Sequence, residues 1–84
     1  MTQLTMFARP SPSDLFRDGS QNFRVYERLL AGPVSNVEIV KGMDILNSTG
    51  RASDVRKALK PYLMDVEATP DPMRTGVWVY KLVG

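Results

Sequence analysis

Ser48-Thr49-Gly50-Arg51-Ala52-Ser53-Asp54-Val55-Arg56-Lys57-Ala58-Leu59-Lys60 is the stretch whose reading decides the fold. At 3.6 residues per turn, Ala52, Val55 and Leu59 share one face, and Ile45 and Ser48 extend it backwards. Gly50, Asp54 and Lys57 point the opposite way, with Arg51 and Ser53 beside them. The spacing predicts a helix with a narrow apolar face of small residues and a polar outer face. That outer face is basic, because Arg51, Arg56, Lys57 and Lys60 outweigh Asp54. Short hydroxyl residues and a glycine at its front would let a backbone approach a phosphate. Arg, Ser and Thr are also side chains that read base edges in a DNA major groove. A basic helix face is equally common as plain solvated surface, so the rest of the chain has to decide.

Working outward, Pro61 stops this helix, and the period then changes to two. Leu63, Asp65 and Glu67 alternate with Met64, Val66 and Ala68. Residues 69–76, Thr-Pro-Asp-Pro-Met-Arg-Thr-Gly, are rich in turn formers and carry Arg74 near the tip. Val77-Trp78-Val79-Tyr80-Lys81-Leu82-Val83 is strongly β-prone. Two strands around one loop form a hairpin. Trp78, Tyr80 and Leu82 share one side of the second strand, and Val77 and Val79 share the other. The aromatic side buries more area, so it is expected on the helices, with Val77 and Val79 facing outward.

On the N-terminal side, Ser35-Asn36-Val37-Glu38 reads as a capping box that opens a short helix, with Val34 and Ile39 as its hydrophobic staple. Gly42 breaks that helix, and Met43-Asp44-Ile45 make the turn into the decisive stretch. A further helix is predicted over 20–31. Ser20 caps it, Phe23, Tyr26, Leu29 and Leu30 form its stripe, and Gly32-Pro33 ends it. Residues 1–19 read as a flexible arm, broken by Pro10 and Pro12 and dotted with Leu4, Met6, Phe7, Leu15 and Phe16. The domain proper is expected over 20–84.

The chain has 84 residues, 43% of them hydrophobic and 24% charged, which fits one small globular domain. Net charge is only +2, and the basic residues crowd before residue 61, with Arg74 and Lys81 alone beyond it. There is no cysteine and no histidine. Disulfides, the usual zinc sites, histidine acid–base chemistry and nucleophile–histidine pairs are thereby excluded. The nine carboxylates are scattered singly, and no pair of them points to an acid and a base. The expectation is no enzyme, no catalytic residue, no metal and no cofactor. No apolar run approaches a membrane span, and no secretory signal is legible. The expected location is cytoplasmic, in a bacterial host's cytoplasm or nucleoid.

Three helices followed by a hairpin is the order of a winged helix-turn-helix domain of the α+β class. The residues Asn47, Thr49, Arg51, Ser53, Val55 and Arg56, with Tyr80 and Leu82 closing, resemble small phage and prophage helix-turn-helix proteins. The resemblance covers about residues 22–83. The chain departs from it at Lys60-Pro61-Tyr62, where a glycine turn is expected. The resemblance implies DNA binding, and it also admits reuse as a partner-binding module. On the first reading the protein binds double-stranded DNA specifically, as a regulator or as a replication or recombination accessory factor. Asn47, Thr49, Arg51, Ser53 and Lys57 would lie nearest the bases, and Arg56, Lys60 and Arg74 would meet the backbone or a minor groove. On the second reading the wing captures a host protein. Val77 and Val79 are then the partner-binding residues, and self-association through the same strand is the related expectation.

Overall fold

The computed structural model describes residues 9–84. Leu4, Met6 and Phe7 of the expected arm lie outside the described residues. The described part of that arm folds onto the domain. Helix α1 (Pro12–Leu15) starts at Ser11, whose backbone N–H donates to Asp14 Oδ2 at 2.9 Å. Leu15 and Phe16 pack against the core. The Phe16 ring stands edge-on to Tyr26 at 6.2 Å, a favoured aromatic geometry. The buried Tyr26 hydroxyl donates to Pro10 O at 2.7 Å. Burial also pushes the Tyr26 phenol above its ordinary pKa.

Helix α2 (Gln21–Leu30) begins where its cap was expected, with Ser20 Oγ accepting from Phe23 N at 3.1 Å. It buries Val25, Tyr26 and Leu29. Phe23 and Leu30 are only half-buried, and Val25 takes the fully buried place expected of Phe23. Gly32 leaves the helix at φ +142°, which a side chain would oppose.

The Ser35–Glu38 box forms as expected. Glu38 N donates to Ser35 Oγ at 3.0 Å, and Ser35 N to Glu38 Oε1 at 3.4 Å. Before it, however, Val34–Ser35 make a strand, β1. After it, Glu38–Gly42 wind as a π-helical turn, closed by Met43 N donating to Glu38 O at 3.0 Å. The wide turn and the left-handed Asp44 (φ 58°) bring Ile39 and Ile45 into the core together.

Helix α3 (Ser48–Leu59) carries the decisive stretch. Ser48, Ala52, Val55 and Leu59 are its buried residues, as the spacing requires. A 3₁₀ turn (Lys60–Tyr62) follows, and Leu63 reverses the chain at φ 58°. Leu63 therefore occupies a left-handed position, one residue beyond the Lys60-Pro61-Tyr62 segment where a glycine turn was expected. It is 90% exposed, so its side chain gains little there, while the left-handed backbone costs about 1–2 kcal/mol. Leu63→Gly is expected to raise stability by up to about 1 kcal/mol, the remainder being offset by the freer unfolded chain. Urea unfolding would read this as a higher midpoint at constant slope. A lower midpoint would show that Leu63 is held by its surroundings.

Strands β2 (Asp65–Pro70) and β3 (Trp78–Val83) complete a three-stranded antiparallel sheet in the order β1-β3-β2. Val66 faces Leu82, Ala68 faces Tyr80, and Pro70 faces Trp78 across the hairpin. The whole is an α+β fold whose core joins α2, α3 and the inner side of the sheet.

Two expectations for the hairpin are corrected. Val77 is not on an open face; it is 9% exposed. Val79 is half-buried. Nor is β3 an edge strand: β1 pairs Val34 with Tyr80 and Ser35 with Val79, which makes β3 the central strand. Asn36 then donates to Gly76 O at 3.3 Å and accepts from Trp78 N at 3.1 Å. These bonds occupy the flank assumed to be free. Trp78 is the opposite case. Tyr80 and Leu82 do face the helices, but Trp78 lies beyond them and is 45% exposed.

Candidate nucleic-acid interface

The outward side of α3 is narrower than its composition suggests. Thr49, Ser53, Arg56, Lys57 and Lys60 are exposed. Arg51 is not presented with them. Its guanidinium sits 3.1 Å from Asp54 Oδ2, which also accepts from Asn22 Nδ2 at 3.3 Å. Arg51 and Asp54 thus tie α3 to α2, and Arg51 Nε is buried without a partner. Asn47 is likewise committed, since its Oδ1 accepts from Gly50 N at 2.9 Å and caps the helix. Gly50 has a local reason: a Cβ there would run into the Asn47 side chain.

Two of the expected backbone contacts carry their own counter-ions. Arg56 holds Asp65 with both arms, Nε to Oδ1 at 2.7 Å and an Nη to Oδ2 at 3.3 Å. The Arg56 hydrogen bond, helped by Val66 N–H, keeps the Asp65 carboxyl below its usual pKa. Arg74 Nε lies 3.0 Å from Asp71 Oδ2. Asp71 is held low mainly by the Met73 N–H and then by Arg74. Among the described residues Lys57 and Lys60 make no ion pair. Exposed pairs of this kind contribute little to stability, so either arginine can change partner easily.

Between α3 and the hairpin runs a groove of about 460 Å³. Thr49, Ala52, Ser53 and Arg56 form one wall, and Val66, Ala68, Trp78 and Tyr80 form the other. Val66, Tyr80 and Leu82 are buried against the helices, whereas Ala68 and Trp78 are exposed. Sequence reading missed Trp78 as a surface residue. The available signal was Ala68, a small residue directly opposite Tyr80 and two pairs from Trp78.

No protein-family model, curated protein or solved structure matches this chain. No helix among the described residues is long and apolar enough to cross a membrane.

Proposed function

We propose that the chain is a winged helix-turn-helix DNA-binding protein of phage type, acting as a transcriptional regulator or as a replication or recombination accessory factor in a bacterial host's cytoplasm or nucleoid. The observation that carries this is the order α2, β1, π-helical turn, α3, β2, β3 with strands arranged β1-β3-β2. In that arrangement the exposed stripe of α3 and the hairpin flank one groove, the relation a recognition helix needs to its wing.

On this reading Thr49 and Ser53 face base edges, and Lys57 and Lys60 meet phosphates. Arg56 and Arg74 exchange a carboxylate for a phosphate. Asn47 and Arg51 position the helix instead of reading bases. The experiment is a backbone amide titration with a mixed-sequence duplex at low and moderate salt. Shifts are expected in residues 49–60 and 71–76. Lys57→Ala with Lys60→Ala should flatten the salt dependence by about 0.9 for each phosphate no longer neutralised. An unchanged slope, or shifts elsewhere only, would remove the reading.

The half-exposed Trp78 in a largely apolar groove favours a second reading, capture of a host protein segment between α3 and the wing. It predicts shifts centred on Trp78, Ala68 and Ala52, with no response to duplex DNA.

A further inference from the structure

Among the described residues, the two edges of the sheet differ. On β1, Ser35 N is spent on its own capping box, donating to Glu38 Oε1 at 3.4 Å. On β2, the phase of the hairpin decides which backbone groups face outward. Asp71 N donates to Val77 O at 2.8 Å, which makes theirs a hydrogen-bonded pair. Antiparallel pairs alternate, so Val66, Ala68 and Pro70 turn their backbone groups away from β3. Trp78 N agrees with this phase, since it donates to Asn36 on the β1 side. The outer row of β2 is bounded at both ends. Val66 N donates to Asp65 Oδ1 at 2.7 Å, and Pro70 has no N–H to offer. Between them the N–H and C=O of the exposed Ala68 form a short open ladder site.

This site lies beside the groove under α3. Side chains alternate across a strand, and Val66 and Ala68, with Trp78 and Tyr80, form the sheet wall of that groove. A residue hydrogen-bonded to Ala68 from outside would project its side chain onto the same face. It would enter the groove and meet Trp78, which is 45% exposed. The residues on either side of it would project to the other face, opposite Glu67 and Thr69. Glu67 is exposed and, among the described residues, makes no ion pair. A basic residue opposite it would complement its charge. A second copy of β2 fits less well. Centred on Ala68, it sets alanine against alanine and fills neither groove. Centred on Glu67, it sets like charges opposite each other.

We propose that β2 takes up an extended peptide as an added antiparallel strand, with a large apolar side chain opposite Ala68 and a basic residue next to it, opposite Glu67. The inference rests on the segment-capture reading above and names its partner. Capture is then by strand addition, in which backbone bonds give affinity and the groove selects the side chain.

The test is an amide titration of the isotope-labelled full chain with a capped Thr-Thr-Phe-Lys-Thr peptide. The Ala68 amide and the Trp78 indole N–H are expected to shift together and to saturate. The same peptide N-methylated at its Phe loses one ladder bond and should bind about tenfold more weakly. Ala68→Pro removes the outward N–H, a change that an edge strand tolerates. It should keep the dispersed spectrum of the parent and lose a similar factor in affinity. Groove shifts with equal affinity for the N-methylated peptide overturn the added strand and leave segment capture standing. No shift with either peptide overturns both. Should Ala68→Pro fail to fold, the N-methylated peptide decides alone.

Discussion

Leu59→Ala is expected to lower the free energy of unfolding by about 2–5 kcal/mol. Leu59 is fully buried in the last turn of α3, in the one core shared by α2, α3 and the sheet. Alanine and leucine differ little in helix propensity, so the loss comes from transfer and cavity terms. A domain of this size has on the order of 5–15 kcal/mol in total, so the variant approaches the limit of folding. Thermal and urea unfolding measure this. Lys57→Ala, two residues away and exposed, is the control and should stay within about 0.5 kcal/mol. A Leu59→Ala melting temperature equal to the parent's would mean that the α3 register is wrong.

Tyr26→Ala should be as severe, at about 3–5 kcal/mol, and for more reasons. The ring is fully buried, meets Phe16 edge-on, and its hydroxyl holds the Pro10 carbonyl. Tyr26→Phe separates the parts. It keeps the ring and strands that carbonyl, at about 1–3 kcal/mol. Hydrogen exchange in α1 should then quicken relative to α3. Equal protection of α1 in both proteins would show that Phe16 and Leu15 suffice. The phenol adds a pH effect. Its folded pKa lies above its unfolded value, so this contribution is complete below the ordinary tyrosine range. It is lost as pH rises through the folded pKa.

Much of this was legible in the residues. The buried face of α3, the Ser20 cap, the Ser35–Glu38 box and the hairpin around Arg74 all follow from spacing and capping chemistry. What was hidden depends on neighbours remote in sequence. Two residues cannot show a period, so Val34–Ser35 did not read as a strand. They also had a sufficient explanation as staple and cap. Without β1, nothing indicated that β3 would be the central strand. The π-helical turn is set by the need to bury Ile39 and Ile45 together. For the interface, composition counted Arg51 as an outward charge. Only the packing of Asn22 against Asp54 shows where that guanidinium is held. Arg56 was expected at the DNA backbone, and the structure instead pairs it with Asp65 on the hairpin.

The two-residue strand β1 has a consequence for the order in which the chain assembles. Pairing Val34 with Tyr80 joins positions 46 apart, whereas pairing Ala68 with Tyr80 joins positions only 12 apart. Loop-closure entropy grows with the logarithm of that separation, and the longer closure costs about 1 kcal/mol more. A single short ladder offsets it. The hairpin therefore gains from forming first, and β1 docks onto a strand already made. Until it docks, the flank of β3 carries unpaired backbone groups. That interval, and not the finished fold, is when one chain of this protein is most exposed to another.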